Sequence, residues 1–419
     1  MSDDERIAVA TNRSAGVVTV FALDPSAPLG ARVLPNPTEI QVGANAEPWT
    51  AVLGPDDSAY VVLRHEQVVR RISHLHGAPS LDPDTVSVGS EPMSIVRSPT
   101  GSFLYVANSG DGTVTLIDRA LFASTGSLDL NEALTAPHYF DDTEPRPGLA
   151  HPRALAVTDD GDEDDADEYL FATEFFSQPL ALPGTDHSDL TQFDRNRRGV
   201  VYAKALGRTG PFFPIDLAPV ADTGFADSNG NPTGCFPNQL YGAAIHGERL
   251  YVSALCASPV GPLGATQDTP PNTANFRTLL HPALYVVDTR HFAELPEERA
   301  LFTQLLTRAF DADQADGFTE PRRMPLIPND LAITRAPDGS ALRACLTAFG
   351  ADASFCMSLG GDFAIGKQGA RYVDLHAGDE TGKLPIGIAT SASGRFALVL
   401  NDNTQNLSVL DLTDNTVAA

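Results

Sequence analysis

Ten consecutive residues, Asp159 to Glu168, read DDGDEDDADE, acidic throughout except for Gly161 and Ala166. Carboxylates crowded on one loop repel each other unless a cation sits among them, and Ca²⁺ takes oxygen ligands of this kind. The candidate ligands are Asp159, Asp160, Asp162, Asp164 and Asp165, with Gly161 allowing a sharp turn. Their order is not that of an EF-hand, and no closing Glu stands at the required distance. The plain alternative is a solvated acidic loop.

A second set of polar residues opens a series of short apolar runs: Glu47, Glu91, His151, Arg153, Asn238, Gln239, Asn329 and Asp330. If those runs gather around one axis, their starts meet at one mouth. Glu, His, Arg, Asn and Asp together could there hold a divalent ion or polarise a carbonyl. The competing reading is a channel with an ordinary polar lining.

The four cysteines, Cys235, Cys256, Cys345 and Cys356, form two sequence-local pairs. Neither pair has zinc-knuckle spacing, and no Cys-x-x-Cys-His haem signature occurs. Two disulfides closing short loops would place the chain in an oxidising compartment. Four buried thiols are the alternative, and a catalytic thiol served by His246 is a third reading. No phosphate loop, nucleophile elbow, zinc-protease helix or dinucleotide fingerprint appears. The stretch SLGGDFAIGKQG near Gly360 has the wrong spacing for a P-loop and reads as a hairpin.

These residues need elements to position them, and the elements repeat. EPWTAVLGPDDSAYVVLRHEQVVRRIS, from Glu47, follows the same plan as EPMSIVRSPTGSFLYVANSGDGTVTLID, from Glu91. Further units open at His151, Phe236, Pro328 and Leu384. Each runs proline, apolar strand, tight turn, second strand, hairpin, third strand. The strands alternate with period two and are separated by polar turns. One such unit leaves a sheet face bare, and several packed radially cover it, which makes an all-β propeller of four-stranded antiparallel sheets. Residues 1–419 then form one domain with units starting near 5, 47, 91, 151, 236, 328 and 384. Seven blades is the preferred number, with six or eight open. The first unit lacks its first strand and the last stops inside a unit; in a ring the two ends can share the missing strand, and the alternative is that the chain is excised from a longer protein. His291–Phe310 is the exception to the β pattern and predicts an inserted amphipathic helix. Two long polar inserts, Ser177–Gly199 and Pro259–Arg277, are candidate binding loops. The basic residues Arg195, Arg197 and Arg198 are expected to pair with the acidic loop.

Composition narrows the partners. The 419 residues carry 28 basic and 54 acidic side chains, a formal charge of −26. Such a surface repels nucleic acid and anionic lipid. No apolar run approaches the roughly 20 residues of a membrane span. The start, MSDDERIAVATN, lacks the basic and apolar regions of a signal peptide.

The run SPTGSFLYVANSGDGTVTLID resembles the repeat of the YVTN-type seven-bladed propellers, relatives in appearance of lactonase-like and quinoprotein-dehydrogenase-like propellers. The resemblance is strong over Glu47–Asp118 and Pro385–Leu412 and weaker in the central units. It implies a fold and leaves the activity open. Lactonase-like propellers hold a divalent ion with Glu, Asn and Asp in the channel, but no residue type recurs here in the pattern needed to carry those roles over. Some bacterial relatives carry a cytochrome c peroxidase-like domain. The expectation is a monomeric, non-catalytic, extracytoplasmic binding scaffold. It would present one face to a small molecule or a protein, a redox partner included. The alternative is a metal-dependent, lactonase-like hydrolase at the channel mouth.

Overall fold

The computed structural model describes residues 1–135, 146–179, 194–226, 232–258, 279–315, 323–359, 372–376 and 381–419. They form a seven-bladed β-propeller of antiparallel sheets. The first sheet holds β1 (Ile7–Asn12), β2 (Val17–Ala22) and β3 (Thr38–Gln41). The second holds β4 (Pro48–Leu53), β5 (Ser58–Leu63), β6 (Val68–Ser73) and β7 (Ser80–Ser87). The third holds β8 (Pro92–Arg97), β9 (Phe103–Asn108), β10 (Thr113–Asp118) and β11 (Ala123–Asp129). A single-turn helix, α1 (Asn131–Leu134), follows. The fourth holds β12 (Pro152–Val157), β13 (Tyr169–Glu174), β14 (Gln178–Pro179), β15 (Arg197–Ala205) and β16 (Phe213–Leu217). The fifth holds β17 (Phe236–His246), β18 (Arg249–Ala257), β19 (Leu280–Asp288), β20 (Ala293–Glu294) and β21 (Ala300–Leu301). The helix α2 (Phe302–Ala315) comes next. The sixth holds β22 (Pro328–Arg335), β23 (Leu342–Ala348), β24 (Ala353–Ser358) and β25 (Val373–Asp374). The seventh holds β26 (Pro385–Thr390), β27 (Phe396–Asn401), β28 (Asn406–Asp411) and β29 (Thr416–Val417).

The strands β4, β8, β12, β17, β22 and β26 pack in succession around the axis. A shared backbone device sets where each of five of them begins. The residue before the opening proline turns its carbonyl onto the N–H that follows the second strand: Glu47 to Arg64 (3.0 Å), Glu91 to Ser109 (2.9 Å), His151 to Phe175 (3.0 Å), Ile327 to Phe349 (3.1 Å) and Leu384 to Asp402 (3.0 Å). Glu47, Glu91, Ile327 and Leu384 adopt left-handed φ values of 50°, 51°, 57° and 54° to do so. That region is uncommon for residues with a Cβ, and the recurring bond is what holds them there.

Stability comes from the seams between sheets. Tyr60, Tyr202, Tyr285, Phe171, Phe355 and Phe396 are wholly buried there. Each contributes on the order of 1.5–3 kcal/mol by leaving water. One cluster joins Leu155, Leu170 and Val200 of the fourth sheet to Tyr105 and Val114 of the third. Another joins Ala8 and Leu23 of the first sheet to Phe396, Leu398 and Val409 of the seventh, closing the ring by packing.

Two expectations are corrected. The ends do not share a strand: β29 pairs with the outer edge of β28, where Val409 and Ala418–Ala419 exchange backbone bonds of 2.6 and 2.7 Å. The seventh sheet is therefore complete on its own, and the first keeps three strands. The helix begins at Phe302, not at His291. Pro296 has no N–H to continue a helix, and Ala293–Glu294 and Ala300–Leu301 instead pair with β19 as β20 and β21. The helical period is real further on, where Phe302, Leu306 and Phe310 bury one face against the fifth and sixth sheets.

Candidate functional site

Five of the residues that follow an opening proline meet at the channel. Trp49, Met93, Arg153, Asn329 and Ile386 line a cavity of about 380 Å³ together with Arg13, Tyr241 and Asp330. Of the eight predicted mouth residues, Arg153, Asn329 and Asp330 line this cavity, whereas Glu47, Glu91, His151, Asn238 and Gln239 do not. Glu47 and Glu91 are held together by one guanidinium, with Arg64 Nη1 and Nη2 each 3.3 Å from a carboxylate oxygen. Asn238 Oδ1 accepts the Ser177 N–H at 3.0 Å, and Gln239 Oε1 accepts the Tyr241 hydroxyl at 3.0 Å. Asn329 donates to the Ile386 carbonyl at 2.9 Å, tying two neighbouring inner strands.

The centre of the cluster is Trp49. The guanidinium carbons of Arg13, Arg64 and Arg153 lie 3.6, 4.9 and 5.5 Å from its ring centroid. Cations over an indole face are attracted by its quadrupole, which lets one ring collect three of them. Like charges at this spacing still repel. Burial first, and then the neighbouring Arg13 and Arg64, bring Arg153 down to about 10. It remains a cation at neutral pH and is no general base. Arg13 Nε and Arg153 Nη1 are buried with no acceptor among the described residues. Asp330 accepts the N–H groups of Leu331 (2.9 Å) and Ile388 (2.8 Å). Burial nevertheless pushes it up to about 6, against the pull of those bonds and of Arg153 and Arg13.

His151 is turned to the side. Its Nδ1 lies 3.6 Å from Glu174, and its ring meets Phe176 edge-on at 4.9 Å. The fully buried Glu174 also accepts the His151 N–H (2.8 Å) and the Tyr202 hydroxyl (2.7 Å). Contact with Glu174 raises the His151 pKa above its ordinary 6.5.

Sequence reasoning missed Trp49, Arg13, Arg64 and Glu174. A signal existed: Arg13 and Arg64 each directly follow a second strand, and Glu174 ends one, where Asn108 and Asn401 end theirs. Alignment of the repeats by second-strand ends would have put the two arginines on one ring.

The acidic loop joins β12 to β13, so it lies on the face opposite the mouth. Asp160, Asp162 and Asp167 bring carboxylate oxygens within 4.8 Å of one another, all exposed. Asp159 and Asp164 instead cap the N–H groups of Gly161 and Ala166 (each 2.9 Å), and Asp165 takes the N–H and hydroxyl of Thr100. Glu168 turns inward to Thr158. Arg198 pairs with Asp216 at 2.6 Å and Arg197 donates to the Ser177 carbonyl at 3.0 Å. Residues 180–193 and 259–278, most of the two long inserts, and residues 360–371, most of the Gly-rich stretch, lie outside the described residues.

The cysteine question has one answer. Cys235–Cys256 and Cys345–Cys356 are disulfides, with Cα atoms 5.4 and 4.0 Å apart. No thiol is left for catalysis. Cys345 and Cys356 stand directly opposite each other on β23 and β24.

No protein-family model matches the chain, and no curated protein matches it. Solved structures do. Hydrazine synthase of Kuenenia stuttgartiensis superimposes with a TM-score of 0.57 at 17% identity, over 98% of this chain and 94% of that one. A functionally unknown protein from Desulfotomaculum acetoxidans follows at 0.52 and 11%, again over 98% and 94%. Identity this low speaks for the propeller fold and for nothing beyond it.

Proposed function

We propose that the chain is a non-catalytic binding propeller of the YVTN type, working outside the cytoplasm, whose channel takes a small anionic ligand. The observation that carries this reading is the gathering of Arg13, Arg64 and Arg153 around Trp49 in a chain of formal charge −26. An anion between the guanidiniums relieves their mutual repulsion and supplies acceptors to buried donors. A carboxylate is the fitting group, because arginine forks match its two oxygens. The flanking rings of Trp49, Phe175 and Tyr241 favour a ligand with an apolar or planar body.

The same charges weigh against a divalent ion at this mouth. Glu47 and Glu91 are already spanned by Arg64, and Asp330 is bonded to two backbone N–H groups. A metal would sit among guanidiniums. The two disulfides support an oxidising compartment.

Trp49 is the only tryptophan, so its fluorescence reports the site directly. Titration with mono-, di- and tricarboxylates is expected to give a saturable change that Arg153→Ala abolishes. If no carboxylate or phosphate changes the emission or the melting temperature, the reading fails.

A further inference from the structure

Arg13 and Arg153 line the channel cavity without a carboxylate on either of them. Among the described residues neither guanidinium has an ion-pair or hydrogen-bond partner, and Arg13 Nε and Arg153 Nη1 are buried. Arg64 differs, because its fork is spent on Glu47 and Glu91 at 3.3 Å each. Those two glutamates are roughly half-exposed, so solvent and salt screen them. Glu47 and Asp402 act on Arg13 from a distance. Asp330 lines the same cavity and bears on both Arg13 and Arg153.

Asp330 is also unable to move aside. One of its oxygens accepts the Leu331 N–H at 2.9 Å, within β22. The other accepts the Ile388 N–H at 2.8 Å, on the neighbouring inner strand β26. A carboxylate on a free side chain can swing away from an arriving anion. This one is fixed to the backbone of two strands, so its charge leaves the cavity only when a proton arrives. Burial pushes Asp330 up to about 6, which puts that proton within reach of mild acid. The groups facing it are Arg153 and Arg13, with Arg64, Glu47, Asp402 and Tyr241 next to those two arginines. His151 lies to the side, against Glu174.

We propose that Asp330 sets how many negative charges the channel ligand can carry: ionised, it favours a monocarboxylate, and protonated, it admits a dicarboxylate. Asp330 thereby decides which anion the cavity takes, a role that rests on the anion reading of this cavity. Each ligand carboxylate meets the fixed Asp330 charge separately, so two are penalised about twice as strongly as one. A bound dianion therefore draws a proton onto Asp330, since a like charge disfavours the ionised form. A bound monoanion does so more weakly. If Asp330 only ties β22 to β26, the charge of the ligand makes no difference to either effect.

The probes are fumarate and its monoamide, fumaramate, which share one planar body and differ by one charge. Their Kd values are read by calorimetry from about pH 8 down to about pH 5.5, a window in which fumarate stays mostly a dianion. Across it the ratio of the two Kd values is expected to shift about tenfold or more in favour of fumarate. At neutral pH, titrations in two buffers of different ionisation enthalpy are expected to show more proton uptake with fumarate than with fumaramate. Asp330→Asn should favour fumarate at every pH and lose both the shift and the extra proton uptake. His151→Gln should keep both. Where Asp330→Asn does not fold, the wild-type ratio and proton uptake decide alone. If both probes bind with one pH profile and equal proton uptake, the proposal is overturned and the anion reading stands. If His151→Gln abolishes the shift, the histidine is the selector and the proposal is overturned as well. If neither probe binds, both readings fall together.

Discussion

Single residues here act through what surrounds them. Asp330 is pushed up to about 6 while facing Arg153 and Arg13, with Asp402 and Glu47 also near Arg13. Its proton removes a negative charge from the cluster. Carboxylate affinity, followed by Trp49 fluorescence, is therefore expected to rise as pH falls through about 6. In Asp330→Asn that step should flatten. His151 has the opposite linkage to stability. Its folded pKa lies above 6.5, so the stabilisation from Glu174 is complete below pH 6.5 and is lost as pH rises through the raised folded value. Melting curves of wild type and His151→Gln should therefore differ most below pH 6.5 and converge as pH rises through the raised folded value. The acidic loop could be read at a glance in the sequence; the arginine cluster could not. A run of aspartates announces itself by adjacency, whereas Arg13, Arg64 and Arg153 meet only because three inner positions of different blades converge.

At the scale of elements, the tight turn after the inner strand recurs with glycine at one place. Gly101, Gly339 and Gly394 have φ of 72°, 71° and 67°, and each N–H bonds three residues back. Their neighbourhoods differ. A Cβ on Gly339 would meet nothing within 4 Å, while one on Gly394 would lie 1.8 Å from the Arg335 carbonyl oxygen. Gly339→Ala should cost about 1 kcal/mol, the left-handed penalty alone. Gly394→Ala should cost roughly 2 kcal/mol more, because backbone must move. Paired urea unfolding curves decide it. The Cys345–Cys356 bridge joins residues at a sequence separation of 11. Replacing both by Ser should cost about 2–4 kcal/mol, read from the same curves. The strand–turn–strand order and the presence of one inserted amphipathic helix were legible in the periodicity. The start of α2 was not: Pro296 stands inside the expected helix, and Ala293–Glu294 and Ala300–Leu301 pair with β19 instead.

The whole molecule carries −26 at neutral pH, and its folded form concentrates that repulsion. Added salt should therefore raise the melting temperature of the free protein while weakening carboxylate binding at Trp49. Opposite slopes in the two measurements are the expected signature, since salt screens both repulsion and attraction. Parallel slopes would mean that surface charge does not limit stability.

By itself the sequence determined the propeller fold and set the four cysteines as two sequence-local pairs, with their bonding left open. Those follow from local rules: period-two alternation, turn residues and the need of each sheet to cover both faces. Only the tertiary structure decided which polar residues share the channel and how the first and seventh sheets pack together. Those depend on distances between blades far apart in the chain, where a repeat is silent about which copy ends beside which.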